Sequence, residues 1–136
     1  MSVIDASVWV SWLFAPDPRH AISLRWISRL ISHADPVIIP SLALVEVAGA
    51  VARRTNHRLL GRLAARKLLN IPSLQVIPLD EHAALKTAML AADLMLKGAD
   101  AAYVSLALDH GVSLVTWDRE QATRGARLVT VLEPSI

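Results

Sequence analysis

Three aspartates stand at positions where an α/β protein commonly places groups that do chemistry. Asp5 ends a short, otherwise apolar run at residues 2–5, and Asp118 comes two positions after a second run at residues 113–116. Asp100 opens a predicted helix and faces the same edge if that helix packs beside the later strand. Because parallel sheets bind ligands beyond the carboxyl ends of their strands, the three carboxylates are predicted to meet at one site.

Glu46 is the fourth acid, and its surroundings set it apart. It is the one charged residue in residues 42–52, a segment that is otherwise apolar and is predicted to be helical. Burying a lone carboxylate costs on the order of several kcal/mol. Glu46 is therefore predicted either to face a water-filled cleft or to have a polar partner.

The four acids, if they converge, predict a site for a hard divalent cation. Carboxylates without a neighbouring cation repel one another and raise each other's pKa values. Ligand sets made of oxygen alone suit Mg²⁺ or Mn²⁺, which keep several waters and are held by a few carboxylates. Zinc is not expected, because the chain has no cysteine and its five histidines form no i,i+4 pair.

Each aspartate also has a purely structural reading. An aspartate before a helix commonly serves as its N-cap, since the carboxylate accepts a hydrogen bond from a backbone N–H of the first turn. Asp5, Asp100 and Asp118 all precede or open predicted helices, so this interpretation applies to each of them. It does not apply to Glu46, and the joint pattern favours a functional site.

Predicted strands and helices alternate along the chain and carry these acids. Strands are predicted at residues 2–5, 36–40, 74–78, 113–116 and 127–131. Helices are predicted at residues 7–14, 19–33, 42–54, 58–69, 81–96, 101–110 and 119–124. We expect Ser7 and Ser41 to cap the first and third helices. The helix at 81–96 is apolar nearly all round, so it is predicted to be deeply buried or covered by another subunit.

This alternation predicts the fold class. Strands separated by helices form a parallel sheet with helices on both faces, here a three-layer α/β/α domain with about five strands. The chain has 136 residues, 54% of them hydrophobic, which favours one domain over residues 1–136 and excludes extensive disorder. The absence of cysteine excludes disulfide scaffolds and cysteine nucleophiles.

No export or membrane segment is predicted. The apolar N-terminal stretch contains Asp5 and lacks a basic lead-in, unlike a signal peptide. The longest apolar run, residues 37–52, is interrupted by Pro40 and Glu46 and is too short to span a bilayer. We therefore expect a cytoplasmic protein without membrane contact.

Four short segments occur in a recognisable order along the chain. They are Val3-Ile4-Asp5-Ala6-Ser7, Val45-Glu46-Val47, residues 98–107 around Asp100, and Leu114-Val115-Thr116-Trp117-Asp118. Together they resemble the PIN-domain ribonucleases, and most nearly the small VapC-type toxins of prokaryotic toxin–antitoxin pairs. The resemblance extends from Val3 to about Pro134, with the acids in the family order.

The resemblance implies roles for particular residues and partners. Asp5, Glu46, Asp100 and Asp118 match the acidic quartet that holds Mg²⁺ or Mn²⁺, and Ser7 and Thr116 match supporting hydroxyl positions beside it. A PIN-like fold, metal-dependent endonucleolytic cleavage of RNA, a homodimer and inhibition by a cognate antitoxin protein are the further expectations.

A basic tract offers counter-charge for an RNA substrate in a chain whose formal net charge is only +2. No acid occurs between Glu46 and Asp80, whereas six basic residues do: Arg53, Arg54, Arg58, Arg62, Arg66 and Lys67. Of these, Arg53, Arg54 and Arg58 are the candidate RNA contacts, because phosphate contact is a natural use of such a tract. The alternatives are a solvated helix face and contact with acidic groups of an antitoxin.

A second function class remains open from the sequence. A PIN-fold module without catalytic activity that binds RNA or a protein would carry the same pattern. Intact acids count against this alternative, and metal-dependent RNA cleavage is the observation that separates the two.

Overall fold

The computed structural model describes residues 1–135 and alternates strands with helices along the chain. The strands are β1 (Ser2–Ile4), β2 (Val37–Pro40), β3 (Leu74–Ile77), β4 (Ser113–Val115) and β5 (Val131–Leu132). The helices are α1 (Ala6–Leu13), α2 (His20–Ser32), α3 (Leu42–Thr55), α4 (Arg58–Leu69), α5 (Glu81–Leu94), α6 (Gly98–His110) and α7 (Arg119–Gly125).

The five strands form one sheet in the order β3-β2-β1-β4-β5, and every neighbouring pair is parallel. Strand β1 is central, and its Val3 pairs with Ile38 of β2 and Leu114 of β4. Strands β1 and β4 therefore end side by side, and the Asp5 N–H donates to the Val115 carbonyl at 2.9 Å. With seven helices around this sheet in the described residues, the predicted three-layer α/β/α fold is confirmed.

Helix α6 forms the centre of the core. Its residues 101–107 are all buried, and it packs against β1, β2 and β4. Helix α5 packs mainly on α6 and leaves Leu85 and Met89 exposed, so the prediction of deep burial for this segment is wrong. Its coverage by another subunit stays a prediction. Among the described residues, no helix has the length and apolar character needed to cross a membrane.

The last strand differs from its predicted position at residues 127–131. Residues 126–128 form a turn in which the Leu128 N–H donates to the Gly125 carbonyl at 2.9 Å. Strand β5 covers only Val131–Leu132, because pairing with β4 begins where Val131 lies opposite Leu114. The apolar pattern alone therefore predicts a strand that starts four residues before the observed one.

The N-cap of α1 differs from the prediction, whereas that of α3 is Ser41 as predicted but lacks the expected side-chain bond. Asp5, not Ser7, is the N-cap of α1, and its carboxylate accepts a hydrogen bond from the Ser7 N–H at 2.9 Å. Ser41 precedes α3 but makes no side-chain cap bond there. Its hydroxyl instead accepts from the Leu79 N–H at 3.1 Å, which ties the start of α3 to the segment after β3.

Helices α3 and α4 approach each other closely. Asn56 follows α3 in the left-handed region, with φ of 51°, and turns the chain toward α4. A Cβ atom at Gly61 of α4 would lie 2.6 Å from the Ala48 carbonyl oxygen and 2.7 Å from the Ala52 Cβ. Only glycine fits at this contact without moving the two helices apart.

We expect Gly61→Ala to lower the free energy of unfolding by about 1–3 kcal/mol, because the added methyl group overpacks the α3–α4 contact. The measurement is chemical or thermal unfolding followed by circular dichroism. Gly98→Ala is the matched control, since a Cβ there meets nothing within 4 Å. A Gly61→Ala protein as stable as the control would show that the two helices are not in such close contact.

Candidate acidic site and adjoining cleft

Asp5 lies at the end of β1 and is only 5% exposed. One carboxylate oxygen accepts hydrogen bonds from the Ser7 N–H at 2.9 Å and the Thr116 hydroxyl at 3.2 Å. The other oxygen accepts from the Gln121 side-chain amide at 3.3 Å. Three neutral donors therefore fix the position of this buried carboxylate, and among residues 1–135 it forms no ion pair.

The two hydroxyl residues predicted to support the site connect α1 with the end of β4. The hydroxyl oxygens of Ser7 and Thr116 lie 3.4 Å apart. The Ser7 oxygen accepts from the Trp117 N–H at 3.1 Å, and the Thr116 oxygen accepts from the Asp118 N–H at 3.0 Å. These bonds hold the segment that carries Asp118 beside the start of α1.

Asp118 is the N-cap of α7, as its structural reading predicted. One of its carboxylate oxygens accepts from the Gln121 N–H at 2.8 Å. This bond occupies one oxygen of the carboxylate, and its second oxygen has no hydrogen bond within the described residues. The side chain is half-buried. Capping the helix thus leaves Asp118 with an oxygen available for a ligand.

Gln121 connects three of the acids, although the sequence analysis did not single it out. Its side chain is fully buried, and its amide group donates to Asp5 and, at 3.1 Å, to the backbone carbonyl of Asp100. Both neighbours are acceptors, so the NH₂ group must face them. A glutamine three residues after an N-cap is the signal of a capping box, in which it reaches back to the cap. Here it reaches across to Asp5 instead.

Glu46 has a polar partner, one of the two outcomes expected for it. The Tyr103 hydroxyl donates to a Glu46 carboxylate oxygen at 2.6 Å. Burial raises the pKa of Glu46 and the charge of Asp5 adds to this, whereas the Tyr103 hydrogen bond acts in the opposite direction. Burial also raises the pKa of Tyr103, so the phenol stays protonated and remains a donor. Tyr103 lies one turn after Asp100 in α6.

Asp100 lies in the first turn of α6, but its N-cap reading is wrong because Lys97 is the N-cap. Burial, together with the charges of Asp118, Asp5 and Glu46, raises the pKa of Asp100 to about 6, while the charge of Lys97 acts in the opposite direction. Its carboxylate accepts no hydrogen bond from the described residues. The charges of the other three predicted acids therefore all act on Asp100, in one region at the carboxyl end of the sheet.

The side chains of the four acids are ligands of the kind that a hard divalent cation prefers, but they are not spaced closely enough to enclose one. The four acids offer oxygen ligands only, and two of them have pKa values raised partly by their neighbours. Such repulsion is what a cation of the Mg²⁺ or Mn²⁺ type would relieve. Within residues 1–135, however, no three acidic or histidine side chains lie close enough together to enclose an ion as they stand.

A cleft of about 520 Å³ adjoins the acids on the side of Glu46. It is lined by α1, by the connection from α1 to α2, by α3 and by Trp117. Of the three predicted RNA contacts, Arg53 and Arg54 line this cleft, whereas Arg58 is exposed on α4 and does not. Arg19, which the sequence analysis did not single out, lines the cleft as well. We call this surface the arginine cleft.

An ion pair crosses one part of the arginine cleft. The Arg54 guanidinium donates to the Asp17 carboxylate at 2.6 Å and lies over the Phe14 ring. Burial acts to raise the pKa of Asp17, but hydrogen bonds from the Arg19 N–H and from Arg54 outweigh it, so the pKa lies below its ordinary value. The charge of Arg54 is thus neutralised within the protein.

Comparison with solved structures supports the fold described here. VapC20 of Mycobacterium tuberculosis, described as a sarcin-ricin loop cleaving toxin, is 20% identical with a TM-score of 0.76 over 92% of this chain and 95% of that one. FitAcB of Neisseria gonorrhoeae is 22% identical, with a TM-score of 0.70 over 98% of each chain. VapBC2 of Rickettsia felis, bound to promoter DNA, is 13% identical with a TM-score of 0.71 over 98% of each.

Sequence comparison identifies the family. No curated protein sequence matches the chain. The family model described as PIN domain matches residues 2–126, which include all four acids and both supporting hydroxyl residues. Since this match covers nearly the whole chain, the chain belongs to the PIN-domain family.

Proposed function

We propose that the protein is a divalent-metal-dependent endoribonuclease, with residues 1–136 forming a single PIN-like domain. The observation that carries this proposal is that burial and the charges of the three other acids raise the pKa of Asp100 at the carboxyl end of the sheet. An arrangement of this kind costs stability unless a cation joins it, and metal-bound carboxylates are suited to phosphodiester hydrolysis. The description of VapC20 as a toxin that cleaves the sarcin-ricin loop supports RNA as the substrate.

The reaction is hydrolysis of an RNA phosphodiester. A water oxygen bonds to phosphorus, the bond from phosphorus to the 3′ oxygen breaks, and the products are a 5′-phosphate and a 3′-hydroxyl. When bound, Mg²⁺ or Mn²⁺ lowers the pKa of a coordinated water and offsets the charge that develops on the phosphate. Asp5, Glu46 and Asp100 are the proposed direct ligands, and Asp118 binds a second ion or orients a water.

Hydrogen bonds within the protein fix the orientations of these carboxylates to different degrees. Asp5 is fixed by three donors, so it stays in place with or without an ion. The Tyr103 hydroxyl orients Glu46 while leaving its second oxygen available. The Asp100 carboxylate accepts no hydrogen bond from the described residues, so its orientation is the least fixed of the three proposed ligands. The Thr116 hydroxyl bonds both Asp5 and the Asp118 N–H, and the Ser7 hydroxyl accepts from the Trp117 N–H, so both act as supporting residues.

The proposed biological setting is a type II toxin–antitoxin pair in the cytoplasm. VapBC2 and FitAcB are solved structures of similar fold, and VapBC2 was solved with promoter DNA. We propose that this chain is the toxin, that it forms a homodimer and that a cognate antitoxin protein inhibits it. Exposed apolar side chains, such as Leu85 and Met89 on α5, offer surface for such contacts.

One observation favours the alternative of a catalytically silent binding module. Within the described residues, the acids are not gathered closely enough to enclose an ion, and Glu46 is satisfied by Tyr103 without one. A module of this kind would bind RNA or a protein partner with the same affinity whether or not divalent metal is present.

The first test compares RNA cleavage with Mn²⁺ or Mg²⁺ and with EDTA. We expect metal-dependent cleavage, and a loss of roughly 10²-fold or more for Asp5→Asn, Glu46→Gln or Asp100→Asn, because each removes a charged ligand. Asp35→Asn is the matched control, since this exposed aspartate lies outside the site. RNA binding without cleavage under any metal condition would support the binding module instead.

The second test concerns the stability of the metal-free protein as a function of pH. Because the pKa of Asp100 is raised from 3.8 to about 6, the folded state binds more protons than the unfolded state between these values. Stability is therefore present at the acidic end and is lost as pH rises through this window. We expect Asp100→Asn in EDTA to melt at a higher temperature than wild type at pH 7, and at a similar temperature near pH 4.

The third test addresses the role of Gln121. Gln121→Leu removes the donors to Asp5 and to the Asp100 carbonyl while keeping much of the buried volume. We expect a loss of stability of about 1–3 kcal/mol, because one oxygen of the buried Asp5 carboxylate loses its only donor among the described residues, together with weaker metal-induced stabilisation. Thermal melts with and without Mn²⁺ measure both effects. Unchanged metal-induced stabilisation would show that Gln121 does not position the acids.

A further inference from the structure

The arginine cleft contains three arginines but only two acids, so its positive charges are not all paired. Arg54 is paired with Asp17 at 2.6 Å, so these two charges offset each other. Arg19 and Arg53 form no ion pair and no side-chain hydrogen bond with any residue in 1–135. The remaining charge in the cleft is Glu46, which belongs to the acidic site. Two unpaired guanidinium groups therefore lie next to the proposed centre of hydrolysis.

Arg19 is held in place before any ligand arrives. Its guanidinium lies 5.0 Å from the centre of the Trp117 ring, in cation–π contact. Its backbone N–H donates to the Asp17 carboxylate at 2.8 Å, which fixes the local turn. Stacking leaves the edges of a planar guanidinium free to donate hydrogen bonds. Arg19 is thus a pre-positioned cation on an exposed part of the cleft.

Trp117, on which Arg19 stacks, is itself firmly fixed. Its indole N–H donates to the Ser23 hydroxyl at 2.9 Å, and its backbone N–H donates to the Ser7 hydroxyl at 3.1 Å. The Ser23 hydroxyl is bonded in turn to that of Ser11 at 2.7 Å, inside the protein. The Trp117 side chain is only 8% exposed, so it serves as a support for Arg19 and offers no open face to a nucleobase.

Arg53 lies along α3 on the same side as Glu46. Glu46, Gly49 and Arg53 occupy positions i, i+3 and i+7, which share one face of a helix. A Cβ atom at Gly49 would lie 3.2 Å from a terminal nitrogen of Arg53. The glycine thus leaves room for the guanidinium to lie back over the helix surface, directed toward the turn that carries Glu46.

We propose that Arg19 and Arg53 form a phosphate-binding pair that holds the backbone of single-stranded RNA in the arginine cleft, beside the scissile phosphodiester. The proposal rests on the proposed function, and it assigns no such role to Arg54 or Arg58. Guanidinium groups bind phosphate oxygens through two parallel hydrogen bonds, which gives geometric selection as well as charge. A cleft with aromatic support and positive charge is typical of single-strand binding.

The test is RNA binding in EDTA, where cleavage does not occur. A labelled single-stranded oligoribonucleotide is titrated with the full chain at several salt concentrations. We expect Arg19→Ala and Arg53→Ala each to weaken binding roughly tenfold and to reduce the salt-dependence slope by about 0.7, as for one lost phosphate contact. Arg127→Ala is the matched control: it removes one exposed arginine outside the cleft and is expected to bind RNA like wild type.

A second variant tests the geometry while keeping both charges. Gly49→Ala places a methyl group 3.2 Å from a terminal nitrogen of Arg53, which is close enough to displace the guanidinium, and it also replaces a glycine inside a helix. We expect the melting temperature to rise while RNA affinity falls, a combination that general destabilisation does not produce. This variant also covers the case in which an arginine variant fails to fold.

Three results would overturn the phosphate-binding pair. They are wild-type-like RNA binding by both arginine variants, an equal loss of affinity in Arg127→Ala, and an absence of RNA binding by the wild-type chain. An equal loss in Arg127→Ala would mean that RNA contacts the surface through non-specific charge. An absence of RNA binding would point to a protein partner as the ligand of these arginines. Metal-independent RNA binding that needs Arg19 and Arg53, without cleavage in Mn²⁺, would instead refute the nuclease and leave the pair supported.

Discussion

Repulsion between carboxylates that share one region without a cation is the constraint on which the rest of the site depends. Burial is the largest cause that raises the pKa of Asp100 to about 6, and this repulsion adds to it; the same two effects raise the pKa of Glu46. The fold limits this cost with neutral donors: three to Asp5 and the Tyr103 hydroxyl to Glu46. Asp100 receives no such donor, and the charges of the three other acids all act to raise its pKa.

Structural and functional readings of the acids prove compatible with each other. Asp5 and Asp118 are true N-caps, yet capping uses only part of each carboxylate's capacity to accept hydrogen bonds. Because the first-turn N–H groups fix the carboxylate relative to the helix, the cap itself is a means of aiming it. At these two positions, helix capping and ligand binding are therefore not alternatives, because the same carboxylate can do both.

The local sequence predicts where the acids lie in the fold, but it does not predict which residues form hydrogen bonds or ion pairs with the functional side chains. The runs before Asp5 and Asp118 predict strand ends, and the parallel pairing of β1 with β4 brings those ends together. Gln121 reaches Asp5 across 116 positions and Arg54 reaches Asp17 across 37, and no periodicity encodes such pairs. The misplaced β5 has the same cause, because pairing with β4, rather than the apolar run itself, fixes where that strand begins.

The same electrostatics that favour a cation among the acids oppose the approach of RNA. A phosphodiester brings further negative charge to a region that already holds four carboxylates, so the proposed RNA substrate needs positive charge from outside the acidic quartet. A salt bridge such as that of Arg54 with Asp17 has no net charge to offer. Arg19 makes a cation–π contact with an aromatic ring and forms no ion pair within residues 1–135, although its charge also acts on Asp17. Stacking on Trp117 thus achieves what an ion pair does not: it positions a cation without neutralising it.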